Sequence, residues 1–528
     1  MLHKFYVVVD DPTFKEEIHQ ELTAETGHET VPERTVDIIN SMPHSEYNSA
    51  VMLTQEEADA LISDLRIKDV HRDPYELGVR KVPYGSRSGT YSKSATAAAS
   101  DKNWGLLRSN SSTNVFGVSN SLTSPFTFNL DGAGVDFVIM DTGIEPNHPE
   151  FAVNADGTGG SRVVNYDWTQ HNIIGNIPIG GFLGDCDGHG SNCASIAAGN
   201  TCGWASKAAI YSLRNVGSGS GGFEYDITDG RQLELLDDFQ VWQTLREFHI
   251  AKPINPATGY KRPTIVNCSF GFNINYSRVT NINYRGSATG ATTTTVAYGT
   301  IGVPEGGSGV HGYRYTALEN EIISTMNAGV IVVTAAGNDR HKIDIPGGLD
   351  YNNYWNEYTG YTYYYHRGAT PSAVTGVISV GCIAAAADTN INPEHKRNFS
   401  CTGPRIDIWA PGDYIMGAYA NASYAGPAVA DTRSSAVGTG YTYYLNKISG
   451  TSQASPQVAG ILACLLQARP WMTQAQCRSW VTATASTWLV NENFYGGSGY
   501  GNFGSLQGGA AKTLYQPFNL PTPLTIRG

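Results

Sequence analysis

The chain has 528 residues, enough for two or three domains and a sizeable core. Hydrophobic residues make up 41% and charged residues only 16%, so disorder is not expected, and the Gly, Tyr, Asn, Ser and Thr that fill the gap suggest long ordered loops. The formal net charge of −12 argues against nucleic acid or an anionic membrane as a main partner. No run approaches the ~18 apolar residues of a membrane helix. The opening stretch, Met1-Leu2-His3-Lys4-Phe5-Tyr6-Val7-Val8-Val9-Asp10, does not read as a signal peptide, because its apolar part is short and runs into acidic residues. The expectation is a cytoplasmic or virion-associated protein, or one released by a non-classical route. Most of the eight cysteines are then expected as free thiols.

Residues 1–75 read as a separate small module. A strand over 5–9 is followed by a helix start at Asp11-Pro12, with Phe14, Ile18 and Leu22 on one face. Strands are expected over 35–42 and 47–53. Thr54-Gln55-Glu56-Glu57 is a capping box, and Ala58, Leu61, Ile62 and Leu65 give its helix an apolar stripe. A last strand over 70–73 completes a βαββαβ, ferredoxin-like α+β order. Residues 76–103 are rich in Gly, Ser, Tyr and Ala, a linker composition.

From Asn103-Trp104-Gly105-Leu106 onward, strands and helices alternate. Val135, Phe137, Val138, Ile139 and Met140 make a buried parallel strand that ends in Asp141. Asp187-Gly188-His189-Gly190 precedes a small-residue helix over 191–198. Further strands are expected over 210–213, 264–267, 330–333 and 377–380, and helices over about 231–248 and 318–327. Gly450-Thr451-Ser452-Gln453-Ala454-Ser455-Pro456 opens a helix over 455–468, with Pro456 suited to its first turn. The alternation implies an α/β fold with a doubly wound, mainly parallel sheet. Residues 487–528 are Gly/Asn-rich and read as an arm or tail.

The segments around Asp141, His189 and Ser452, in that order, resemble the subtilisin-like serine proteases (peptidase S8). A serine hydroxyl is a poor nucleophile at neutral pH and needs a base beside it. His189 would take its proton and return it to the leaving amine, while Asp141 fixes the imidazole tautomer. The resemblance implies that Asn338, in Ala335-Ala336-Gly337-Asn338, donates its amide to the oxyanion together with the backbone N–H of Ser452. It also implies a substrate pocket walled by Ser269, Phe270, Gly271 and Phe272 on one side and by Ala335, Ala336 and Gly337 on the other. Gly217, Gly219 and Gly221 would form the edge that pairs with substrate backbone as an added strand. Phe272 departs from the family, where glycine is usual, and a ring there would narrow or cover the pocket. Gln453 and Gln457 stand where methionine and histidine are usual. Cys193, four residues after His189, matches a thiol-bearing variant of the family and reads as a buried neighbour of the triad.

Residues 1–75 resemble the inhibitory, I9-like prodomain of these proteases, which implies a zymogen with self-cleavage in the linker, at 94–99. The catalytic domain would span 104–486, with insertions at 273–317 and 341–370, the second rich in tyrosines suited to protein contacts. The stretch 198–206 is too short for the calcium loop of some relatives, and Glu150 sits at a candidate calcium-ligand position whose partners are missing, so calcium is allowed without a recognisable loop and no metal or cofactor is expected to be required. The expected function is a serine endopeptidase acting on protein or peptide substrates through an acyl-enzyme, with its own prodomain as partner and with neither nucleic acid nor membrane. Two alternatives are a particle- or virion-associated structural protein carrying a protease domain, and a peptide transacylase or macrocyclase on the same fold.

Overall fold

Alternating apolar residues near the N-terminus build a small sheet of their own. The structure, a computed structural model, describes residues 1–31, 34–42, 45–73, 85–93, 98, 100–112, 121–123, 125–175, 181–216, 236–256, 258–275, 279–288, 301, 310–357, 362–385, 394–419, 428–487, 489 and 505–516. The chain divides into two units, Met1–Val82 with Pro253–Lys261, and Pro83–Lys252 with Arg262–Gly528.

In the first unit, β1 (His3–Val9), β2 (Ile38–Asn40), β3 (Asn48–Leu53) and β4 (Ile67–Arg72) pair in the order β2-β3-β1-β4. Strand β1 is antiparallel to both of its neighbours. Helices α1 (Phe14–Thr23) and α2 (Gln55–Leu61) complete a βαββαβ order. Phe5, Val7 and Val9 pack with Ile18 and Leu22 of α1 and with Ala58 and Leu61 of α2. The capping box forms: the Glu57 N–H donates to Thr54 Oγ1 at 3.2 Å and the Thr54 N–H to Glu57 Oε2 at 2.7 Å. The apolar stripe is shorter than expected. Ile62 and Leu65 are 45% and 96% exposed, because α2 stops at Leu61 and both lie in the turn that leads to β4, which itself starts at Ile67 rather than at 70.

In the second unit, β10 (Asp136–Asp141) lies inside a seven-stranded sheet of order β11-β12-β10-β13-β18-β21-β22. Its other strands are β11 (Val163–Val164), β12 (Ala209–Arg214), β13 (Thr264–Cys268), β18 (Val330–Ala335), β21 (Ile378–Ile383) and β22 (Ile408–Pro411). All of these pairings are parallel. Both faces are buried, and the side chains of β10 alternate between them. Phe137 and Ile139 join the layer of α4 (His189–Ala198) and α8 (Thr451–Ala468), and Val138 and Met140 join the layer of α5 (Asp238–Ile250) and α6 (Thr316–Asn327). After β12 the chain crosses to the other side of β10, so the carboxyl end of β10, where Asp141 sits, is the switch point of the sheet. Helices α4 and α8 cross closely: a Cβ built on Gly460 would stand 2.6 Å from the Ala197 carbonyl oxygen.

Helix α8 begins at Thr451, earlier than expected, so Pro456 lies within it rather than in its first turn. The 76–103 stretch also differs from a linker wherever it is described. Strand β5 (Gly85–Arg87) pairs with β9 (Phe126–Phe128), and β6 (Thr90–Ser92) pairs with β7 (Asp101–Lys102) and β8 (Ser121–Thr123). Tyr91 is fully buried. The Arg87 guanidinium lies 4.6 Å from the Phe128 ring and donates to Ser206 Oγ at 2.6 Å. Lys447 closes an ion pair on Asp101. A few tertiary anchors thus hold a stretch whose composition alone reads as loose. Most of the expected cleavage stretch, 94–97 and 99, lies outside the described residues. Helix α3 (Trp104–Ser109) follows, with the Trp104 indole donating to the Asp413 carbonyl at 2.9 Å.

The two expected insertions carry strands. Within the first, β14 (Asn273–Asn275) pairs with β17 (Val310–Gly312). Strands β15 (Val279–Tyr284) and β16 (Ser287–Ala288) join β19 (Tyr354–Glu357) and β20 (Thr362–Tyr363) of the second in a four-stranded sheet. Strands β23 (Ile415–Tyr419), β24 (Val429–Ala430) and β25 (Tyr444–Ile448), with the short helix α7 (Ser434–Val437), make a further sheet before α8. Helix α9 (Gln474–Ala483) adds Cys477, Trp480 and Val481 to the core. The described part of the expected tail packs inward: Leu506 and Leu514 are fully buried, the Trp409 N–H of β22 donates to the Lys512 carbonyl and the Leu514 N–H donates to the Trp409 carbonyl. All eight cysteines are buried and none is in a disulfide. No helix among the described residues is long and apolar enough to cross a membrane.

Candidate active site

Asp141, His189 and Ser452 come from three elements that meet at the carboxyl end of the sheet. Asp141 closes β10 and is 1% exposed. Its Oδ1 accepts from His189 Nδ1 at 2.7 Å and from the Thr142 N–H at 2.7 Å. Its Oδ2 is buried and meets no donor among the described residues. His189 opens α4, and its side chain keeps 27% exposure. Burial opposes the charged imidazolium, but the Asp141 carboxylate outweighs it, and the His189 pKa is raised well above 6.5.

The loop that delivers His189 is fixed by a residue the sequence reading missed. Asp185 Oδ1 accepts from the Gly188 N–H at 2.8 Å and from the Thr142 hydroxyl at 2.8 Å, and its Oδ2 accepts from the Ser191 N–H at 2.8 Å. A carboxylate at the N-terminus of α4 pairs with N–H groups that a helix leaves open. The Gly190 N–H donates back to Thr142 Oγ1 at 2.9 Å, so the His189 and Asp141 loops are tied together. A Cβ on Gly190 would stand 2.0 Å from the Gly143 carbonyl oxygen, which explains the glycine after the histidine. The legible signal was an acid four residues ahead of His189 at a helix start.

Ser452 lies in the first turn of α8 and is 8% exposed. Its hydroxyl donates to the Ser269 carbonyl at 3.1 Å, and among the described residues it makes no hydrogen bond to His189 in this conformer. Such bonds are often loose before substrate arrives. Pro456 has no N–H to give the Ser452 carbonyl, as residue i+4 of a helix normally would. Two side chains take that place: Ser269 Oγ at 2.9 Å and Cys193 Sγ at 3.3 Å. Ser269 Oγ accepts from Asn267 Nδ2 at 2.9 Å, and Asn267 Oδ1 accepts from Ser455 Oγ at 2.7 Å. The end of β13 and the start of α8 are therefore stitched by a buried ring of polar bonds. Cys193 Sγ is also 3.9 Å from both ring nitrogens of His189. Burial pushes its thiol pKa up, so it stays protonated at neutral pH.

Asn338 is oriented by its neighbours. Its Oδ1 accepts from the Thr451 N–H and from Thr451 Oγ1, both at 2.9 Å, and the Gly337 N–H donates to Thr451 Oγ1 at 3.1 Å. With the oxygen so committed, Nδ2 is the atom left to face the site. A Cβ built on Gly450 would stand 3.5 Å from both Asn338 Nδ2 and the Ser452 nitrogen and 2.7 Å from Gln453 Oε1, so all three atoms crowd this glycine. The role expected of Asn338 Nδ2, together with the Ser452 N–H, is that of an oxyanion donor. Asn338→Leu should lower kcat on the order of 10²–10³-fold with KM little changed; steady-state kinetics on a peptide amide would show it, and an unchanged kcat would remove Asn338 from this role.

A cavity of ≈ 240 Å³ opens beside Ser452 and Asn338. Its lining includes Ser269, Phe270 and Gly271 as well as Ala335, Ala336 and Gly337. Phe272 is not part of the lining. Its ring packs on Tyr315 with centroids 5.7 Å apart, so it neither narrows nor covers the pocket. The expected insertions contribute to the pocket through Gly312, His341, Tyr365 and Gly368, which the sequence reading did not foresee. Gly217, Gly219 and Gly221 lie outside the described residues. Gln453 Nε2 donates to Asn192 Oδ1 at 3.3 Å, and Gln457 links Trp204 Nε1 at 2.9 Å to Asn103 Oδ1 at 3.0 Å, so both side chains are held by buried hydrogen bonds.

Asp141, His189 and Cys193 are close enough together to hold a metal ion, but they belong to this site. Glu21, His28 and Asp64 in the first unit also cluster, and there the Arg66 guanidinium already bonds Glu21 at 2.7 Å and Asp64 at 2.6 Å.

The site is thus an Asp–His pair at the switch point of a parallel α/β sheet with a serine at a helix start beside it. Residues 132–505 match the model of the Subtilase family (peptidase S8), and the chain belongs to that family. It is similar to the "Extracellular serine proteinase" of Thermus sp. (strain Rt41A), 26% identical over 385 residues, covering 73% of this chain and 62% of that protein. It is also similar to the "Subtilisin-like serine protease Cla h 9.0101" of Davidiella tassiana, 25% identical over 369 residues, covering 70% and 49%. The crystal structure of a cold adapted subtilisin-like serine proteinase is 21% identical with a TM-score of 0.45, covering 80% of this chain and 98% of that one. The chain thus spans 62% of the first relative's length and 49% of the second's.

Proposed function

We propose that the protein is a serine endopeptidase, with Ser452 as nucleophile, His189 as general base and acid, Asp141 as the group that orients and stabilises the imidazolium, and Asn338 with the Ser452 N–H as oxyanion donors. The observation that carries this reading is the 2.7 Å His189–Asp141 bond beside a walled cavity that also takes in Ser452 and Asn338. Substrates are proteins or peptides, whose side chain before the cut bond would enter the cavity. The βαββαβ unit acts as an inhibitory prodomain, and the full chain is a zymogen that cuts itself.

The test is intact-mass analysis of the purified full chain beside its Ser452→Ala variant, together with hydrolysis of an unstructured protein. Processing and hydrolysis in the unmutated chain alone support the reading; equal masses and no hydrolysis would overturn it. Product masses also separate hydrolysis from transfer to an amine acceptor.

A further inference from the structure

Glu150 belongs to the short turn Pro149–Phe151 and is completely buried. A buried carboxylate is costly unless its charge is met and its oxygens are bonded. The turn that follows α4 supplies donors: Glu150 Oε2 accepts from the Thr201 N–H at 2.9 Å and the Cys202 N–H at 3.0 Å, and Oε1 accepts from the Thr201 hydroxyl. The counter-charge in direct contact is Arg433, whose Nη2 is 2.5 Å from Glu150 Oε1, and Lys102 adds a weaker favourable interaction. The same guanidinium reaches Asp431, with Nη2 2.5 Å from Oδ2 and Nε 2.9 Å from Oδ1, and its Nη1 donates to the Ala155 carbonyl at 3.2 Å. Asp431 is itself 3% exposed.

One cation therefore ties together the turn at Glu150, the loop at Ala155, the turn that ends the His189 helix, and the stretch that leads into α7. Glu150 stands at a candidate calcium-ligand position, so the fit of a metal can be tested on the residues present. A hard divalent ion wants several oxygens around one point. Here the point between Glu150 and Asp431 holds a planar guanidinium. The 201–202 turn offers Glu150 N–H groups, which repel a cation, rather than carbonyl oxygens. The residues do not fit a metal ion.

We infer that Arg433 is the resident cation of this site, a side chain that clamps the far end of the His189 helix to the surrounding loops without any bound metal. The planar fork suits the task, because it pairs with two carboxylates and a carbonyl at once, which a lysine ammonium cannot match geometrically.

The test is thermal melting of the full chain carrying Ser452→Ala, which prevents self-digestion and makes the readout independent of activity. That chain should melt at the same temperature in calcium chloride and in EDTA. Adding Arg433→Met should lower Tm by roughly 5 °C or more, since it leaves a buried carboxylate without its partner. Arg433→Lys should fall in between. Adding Glu150→Gln to Arg433→Met should recover part of the loss, because the unpaired charge is then gone. Two results would overturn the inference: an EDTA-induced fall in Tm that Glu150→Gln abolishes, or an Arg433→Met chain that melts like its parent.

Discussion

Ser452→Ala is expected to reduce kcat/KM for a peptide amide on the order of a millionfold, the scale seen when a nucleophile that works as one unit with its base is removed. Ser452 and Asn338 both line the ≈ 240 Å³ cavity. His189→Ala should cost about as much, since the hydroxyl would keep its proton without a base. The double variant should be little worse than either single one, because each alone already breaks the unit. Losses that multiplied in the double variant would mean that the two residues act separately. Some hydrolysis above the uncatalysed rate should survive, carried by the oxyanion donors and by binding alone.

The second large effect is expected at Asp141. Asp141→Asn keeps the shape of the site but presents His189 Nδ1 with an amide, which favours the wrong tautomer and cannot stabilise the imidazolium. A fall in kcat on the order of 10⁴-fold follows. The pH dependence should move as well, and its direction is fixed. The base works only when neutral, so kcat/KM in the unmutated enzyme rises with pH through the His189 pKa, which Asp141 holds above 6.5. Without that carboxylate, burial is the dominant influence and lowers the pKa. The acidic limb of the profile should then shift to lower pH. A limb that stays in place would mean that Asp141 does not set the His189 pKa.

The residues proposed to carry chemistry were readable because they sit in short segments whose neighbours do local work. Gly190 is small because the Gly143 carbonyl is against it, and Asp141 ends an apolar strand because the switch point of the sheet is there. The β10 strand and the order of the N-terminal unit were legible from periodicity, which both-face and one-face burial impose directly. What was hidden depends on partners far along the chain. Arg87 and Tyr91 look like linker residues until Ser206 and the 121–128 strands close on them. Pro456 suggested a helix start, but α8 runs through it because Ser269 and Cys193 bond the carbonyl it leaves free. Phe272 looked like a plug until Tyr315 gave its ring another place to pack. The pocket's share of His341 and Tyr365 comes from long insertions whose registers no local pattern reveals.

The embedding of β5 and β6 changes what a nick in the backbone would mean. A self-cut at 94–99 falls behind these strands, so residues 85–93 would be severed covalently yet remain lodged by Tyr91, by Arg87 against Phe128, and by the pairing of β6 with β7 and β8. The cut molecule would then be a two-piece assembly, in which the N-terminal peptide that carries 85–93 stays as a non-covalent part. Denaturing electrophoresis would resolve fragments that elute together in gel filtration. Loss of the peptide under native conditions, with the enzyme intact, would instead place 85–93 outside the working enzyme.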